Sequence, residues 1–168
     1  ARLGLGLLLR RQRRAAEAEA VFREAVAVRP DAASAHAELG GALFEQGRYA
    51  EAAAAFREAV RLRPDYARAH VNLGLALMRE GSHAEAEAAF RQALRLNPGE
   101  RTAHANLATV LRRQRRTADA EAVYRQAARS EPNAVAAHAG LAAALFEQGC
   151  YEEAAAAFRE AIRLRPED

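Results

Sequence analysis

SAHAELG (Ser34–Gly40), RAHVNLG (Arg68–Gly74), TAHANLA (Thr102–Ala108) and AAHAGLA (Ala136–Ala142) place His36, His70, His104 and His138 in one chain, each 34 residues from the next. Evenly spaced histidines invite a metal-site or proton-relay reading. The period, however, is shared by other residue types. Pro30, Pro64, Pro98, Pro132 and Pro166 keep it, as do Ala18, Ala52, Ala86, Ala120 and Ala154. Phe22, Phe56, Phe90, Tyr124 and Phe158 keep it too, and so do Leu5, Leu39, Leu73, Leu107 and Leu141. One period carried by several residue types along a whole chain marks stacked structural repeats.

Each repeat reads as two helices. In Ala33–Gln46, Leu39 and Leu43 share a face at helical spacing, with Ala35 and His36 a turn earlier. Gly47 breaks that run and allows a tight turn. The next stretch, from Tyr49, sets Ala52, Phe56, Ala59 and Val60 on one stripe, and Pro64 ends it because proline disfavours helical geometry in the residue before it. A small residue such as Ala52 lets two backbones approach while the Phe56 ring fills the space between helices. One such pair cannot bury both its faces, so neighbours must stack.

These residues resemble the tetratricopeptide repeat, whose pattern over 34 residues is W-x2-L-G-x2-Y, then A-x3-F, then P. The tryptophan slot here holds Arg2 and the four histidines, and the glycine slot holds Gly6, Gly40 and Gly74, then Ala108 and Ala142. Alanine is small, so the close packing is expected to survive. The resemblance implies an all-α fold: a right-handed α-solenoid of five tandem 34-residue helix-turn-helix repeats, about ten antiparallel helices in all. The repeats fall at 1–32, 33–66, 67–100, 101–134 and 135–168, forming a single array over 1–168 that reads as a segment of a longer chain.

The histidines are then copies of one packing slot. Packed helices lie ~8–10 Å apart, whereas metal donors must converge within ~2 Å of the ion. Their expected role is structural, with no metal and no cofactor. His83, near a turn, reads as a surface residue, and Cys150, in the turn slot of Arg48, Ser82 and Arg116, as an exposed thiol.

A second period lies inside the first. Ala42–Pro64 nearly copies Ala144–Pro166, and Leu9–Arg23 nearly copies Leu111–Arg125, both three repeats apart. A three-repeat block duplicated as a unit accounts for both pairs.

Composition narrows the function. The chain is 51% hydrophobic but only 6% aromatic, and its 25 basic residues are all arginine, for a net charge of +3. Arginine and glutamate alternate along helices, as in FREAVRLRP (Phe56–Pro64), which reads as a solvated face. One cysteine excludes an internal disulfide framework. No run reaches ~18 apolar residues, so no membrane insertion is expected. LGLGLLL (Leu3–Leu9) is followed rather than preceded by arginines and does not read as a signal, so a cytoplasmic location is expected. There is no Gly-rich phosphate loop and no pairing of nucleophile and base, so an enzyme is not expected. The basic clusters Leu8–Arg14 and Leu111–Arg116 lack aromatics for stacking, so no nucleic-acid partner is expected.

What remains is binding. The resemblance implies that the first helix of each repeat lines a concave groove that takes a peptide or helical segment of a partner protein. Carried over slot by slot, the groove residues are Glu38, Phe44, Arg68, Asn72, Leu75, Met78, Arg79, Asn106, Thr109, Arg112, Arg113 and Phe146. The asparagines suit a peptide backbone, and the arginines suit carboxylates, so an acidic partner is expected unless each arginine pairs with a glutamate of its own helix. The family's carboxylate clamp needs lysine and asparagine where Ala37, Gly41, Val71 and Leu75 stand, which rejects that mode. The repeats also look like those preceding O-linked N-acetylglucosamine transferase domains. Asn72 and Asn106 match two rungs of that asparagine ladder, while Gly4, Glu38 and Gly140 break the others. A substrate-recruiting region of a glycosyltransferase is therefore one alternative. A homo-oligomer joined through its repeat ends is another, suggested by Phe158 and Ile162 on the last helix.

Overall fold

The computed structural model describes residues 2–165. Ala1 and residues 166–168, with Pro166 of the proline series, lie outside the described residues. Among the described residues the chain forms ten helices and no strand. They are α1 (Arg2–Arg11), α2 (Ala15–Val28), α3 (Ala33–Glu45), α4 (Tyr49–Leu62), α5 (Ala67–Glu80), α6 (His83–Leu96), α7 (Arg101–Arg113), α8 (Thr117–Ser130), α9 (Val135–Glu147) and α10 (Tyr151–Leu164). Two compact units divide within α6, Ala1–Gln92 and Ala93–Asp168. In the first, α1 to α5 pack each on the next, and α3 also touches both α1 and α5. In the second, α7 to α10 do the same, and α7 also touches α9. The first helices of successive repeats thus lie side by side within each unit. None of these helices is long and apolar enough to cross a membrane.

The turn between the two helices of a repeat needs one left-handed residue. Glycine fills it at Gly47, Gly81 and Gly149, with φ of 76°, 98° and 81°. Arginine fills it at Arg13 and Arg115, with φ of 60° and 59°. A side chain in that region costs roughly 1–2 kcal/mol, so both arginines are strained. At the other end of each repeat, Arg29, Arg63 and Glu131 are the last residues before proline. Each has left helical geometry, at φ near −135°: −137°, −138° and −133°.

Phe22, Phe56 and Phe90 are fully buried, and each rests on the glycine of its own repeat's first helix. A Cβ on Gly40 would stand 2.8 Å from the Phe56 ring, and one on Gly74 2.6 Å from Phe90. In the fourth repeat that methyl is present, as Ala108. The Tyr124 ring lies against Gly140 of α9 and stays buried, so close packing survives the alanine. In the fifth repeat, where Ala142 holds the slot, Phe158 is 42% exposed.

The histidines do more than fill space. Nε2 of His36, His70, His104 and His138 bonds to the carbonyl of Pro30, Pro64, Pro98 and Pro132, at 2.8–2.9 Å. This ties the start of each first helix to the proline turn before it. His83, expected on the surface, is half-buried at the first position of α6. Cys150 is exposed.

The three-repeat period recurs in the contacts. Gln46 donates to Glu19 at 2.7 Å, and Gln148 to Glu121 at 2.6 Å. Phe44 meets Tyr49 edge-on at 5.2 Å, and Phe146 meets Tyr151 at 5.4 Å.

Gly40→Ala is expected to lower unfolding free energy by about 1–3 kcal/mol through overpacking against Phe56. Gly4→Ala, with nothing within 4 Å of the added carbon, should raise it by about 0.5–1 kcal/mol through helix propensity. Urea unfolding of both variants checks the pair, and equal effects would refute the ring contact. Arg115→Gly should also stabilise, by about 0.5–1 kcal/mol, as left-handed strain is relieved.

Candidate binding face

In the first unit the sequence-derived residues converge on the face made by α1, α3 and α5. A cleft of about 130 Å³ there is bordered by Gly41, Phe44, Arg68, Asn72 and Leu75. It adjoins a wider opening of about 610 Å³ bordered by Leu7, Leu8 and Arg11, with Arg10, Glu45 and Arg68 common to both. Arg10 spans the face. It donates to Glu38 at 2.6 Å and to Glu45 at 2.6 and 3.0 Å. Burial works against its charge, but Glu45 and Glu38 outweigh that and hold the guanidinium protonated. Glu38 is thereby committed to an internal pair. Arg79 donates to the Tyr49 hydroxyl at 2.8 Å and lies 5.0 Å from that ring's centroid. Phe44 and Met78 are half-buried. Two polar groups of the smaller cleft stay unengaged: among the described residues, exposed Arg68 makes no ion pair and half-buried Asn72 no side-chain hydrogen bond. They stand over the apolar floor of Phe44 and Leu75.

The equivalent face of the second unit, on α7 and α9, is more self-satisfied. Asn106 donates to its own helix at Thr102 O, 2.8 Å, and the Thr109 hydroxyl to Ala105 O, 2.8 Å. Arg112 pairs with Glu147 of the next repeat's first helix, not with a glutamate of its own helix. Its charge also acts on the Tyr124 hydroxyl. This copies Arg10 with Glu45 three repeats earlier, with one exchange. Where Glu38 holds Arg10, the slot is Gly140, and the Tyr124 ring lies against that bare backbone. Phe22 and Glu38 have thus become Tyr124 and Gly140 together. Arg113 and Phe146 remain exposed, Arg113 without an ion pair among the described residues.

Arg10, Arg11, Tyr49 and Tyr124 were missed by slot-by-slot reading that began at the second repeat. Shifting the slots of Arg112 and Arg113 back by three repeats would have named Arg10 and Arg11. Among the described residues no three His, Cys, Asp or Glu side chains gather where they could hold a metal.

The chain matches known proteins throughout. The family profile for the cilia and flagella-associated protein 70 C-terminal domain, a tetratricopeptide profile, matches residues 1–168. No curated protein sequence matches. Among solved structures, MamA superposes with a TM-score of 0.89 at 20% identity, over 96% of this chain and 94% of that one. YrrB, a TPR protein with an unusual peptide-binding site, gives 0.82 at 19% identity, over 99% and 86%. Pseudomonas aeruginosa pilF gives 0.81 at 22%, over 96% and 74%. Identities this low speak for the fold alone.

Burial pushes the Tyr124 hydroxyl above the ordinary tyrosine value, and Arg112 only partly offsets it. The fold therefore holds this proton more tightly than the unfolded chain, and stability should fall as pH rises above about 10. Absorbance titration should show one of the four tyrosines ionising late, and Tyr124→Phe should remove that component and flatten the alkaline loss of stability.

Proposed function

The chain belongs to the tetratricopeptide family of the cilia and flagella-associated protein 70 C-terminal domain, and on that premise we propose that it is a non-catalytic scaffold that binds a segment of a partner protein on the face of its first helices. The observation that carries this is the pairing of unengaged Arg68 and Asn72 over apolar Phe44 and Leu75. An exposed guanidinium can fork onto a carboxylate. An unbonded amide can both donate to and accept from a peptide backbone whatever its sequence. Leu75 and Phe44 provide apolar burial for one side chain between them. The segment is therefore acidic near an apolar anchor. In the second unit, Arg113 and Phe146 are the groups left to contribute, because Arg112 and Asn106 are engaged within the fold.

Selection from a random peptide library on the immobilised chain tests the reading. Enriched peptides are expected to carry Asp or Glu beside a large apolar residue. Arg68→Glu with Asn72→Ala should weaken their binding by about tenfold to a hundredfold while leaving the helical circular dichroism unchanged. Peptides without acidic residues, or equal binding by the variant, would overturn the assignment.

A further inference from the structure

The fifth repeat carries an exposed aromatic pair. Phe146, in the last turn of α9, meets Tyr151, the first residue of α10, edge-on at 5.4 Å. The two residues are 59% and 64% exposed. Three repeats earlier the same pair, Phe44 and Tyr49, stands at 5.2 Å, and there both residues are half-buried. Arg79, from the first helix of the following repeat, lies over the Tyr49 ring at 5.0 Å from its centroid. Its Nη2 also donates to the Tyr49 hydroxyl at 2.8 Å. Among the described residues no cation stands over Tyr151 and none bonds its hydroxyl.

The sequence around the open pair has changed sign. Ala144–Pro166 departs from Ala42–Pro64 at three positions, and two of them flank the tyrosine. Cys150 stands where Arg48 does, and Glu152 where Ala50 does. Each exchange makes the surroundings of the ring one charge more negative. Glu152 is exposed and, among the described residues, makes no ion pair. Glu147, beside Phe146, is already engaged by Arg112.

These features select a cation. An aromatic face carries negative potential and attracts one, and the phenol oxygen accepts a hydrogen bond. A free carboxylate beside them strengthens the attraction and repels an anion. An apolar side chain would gain nothing from that field. A guanidinium fits better than an ammonium, because its plane stacks on the ring while one N–H reaches the hydroxyl. Arg79 does both over Tyr49.

We propose that the Phe146–Tyr151 pair receives an arginine side chain of a partner protein, in the pose that Arg79 takes over Tyr49. This site shares Phe146 with the second-unit face but does not depend on the Arg68–Asn72 cleft, which takes the opposite charge.

The test titrates the blocked tripeptide N-acetyl-Gly-Arg-Gly-amide into the isotope-labelled chain, beside its lysine and citrulline counterparts, and follows amide NMR shifts. Citrulline keeps the shape of arginine without its charge. The arginine peptide should shift Phe146, Cys150 and Tyr151, with a dissociation constant on the order of 10 mM. The lysine peptide should bind about threefold more weakly and the citrulline peptide about tenfold. Tyr151→Ala should abolish the shifts at Phe146 and Cys150, and Glu152→Ala should weaken binding about threefold. Arg79→Ala should open Tyr49 to the same peptide, with weaker binding because Arg48 and Ala50 flank that ring. If Tyr151→Ala loses its helical circular dichroism, Glu152→Ala and the citrulline comparison decide. The proposal is overturned by the absence of shifts at the pair, by their persistence in a folded Tyr151→Ala, by unchanged binding in Glu152→Ala, or by lysine or citrulline peptides that bind as well as arginine.

Discussion

The contact between an aromatic ring on the second helix and a glycine on the first sets the spacing of every helix around it. Aromatic rings carry the largest apolar surface in this alanine-rich chain, and they can be fully buried only where the opposing backbone bears no side chain. Gly6, Gly40 and Gly74 provide that surface for Phe22, Phe56 and Phe90. Alanines such as Ala18, Ala52 and Ala86 then close the remaining space between helices. Leucine and alanine alone would pack a bundle, but without large rings in fixed places its register would be poorly specified.

The fourth repeat shows what happens when the constraint changes. Ala108 stands in the glycine slot, and the Tyr124 ring lies against Gly140 on the first helix of the next repeat. That same Gly140 takes the slot of Glu38, whose carboxylate holds Arg10 three repeats earlier. A change in the core thus goes with a change in the charge pairing on the binding face.

Most of the fold was legible in the sequence because the period was carried by residues whose physical roles are narrow. Proline stops helices, and the histidine and leucine slots sit one turn apart on the first helix. The turns were half legible. Gly47 announced a left-handed residue, but Arg13 and Arg115 adopt the same conformation without any local signal. The binding face was legible as a set of positions, since slots transfer between repeats. Which of its charges are free was not, because that depends on pairs between repeats. Arg112 reads as available until Glu147, 35 residues on, is seen to reach it. Arg68 and Arg112 look alike in the sequence and differ only in what the neighbouring helix offers.

The ring-on-glycine account is tested most directly by a rescue measurement. Gly140→Ala should leave Tyr124 with a methyl on both sides and cost the fold about 1–3 kcal/mol in urea unfolding. Adding Ala108→Gly restores a bare surface on the ring's own repeat. The account predicts that the double variant recovers most of that loss, with Tyr124 ring contacts in NMR moving from α9 to α7. A double variant as unstable as Gly140→Ala alone, with the ring still against α9, would contradict it.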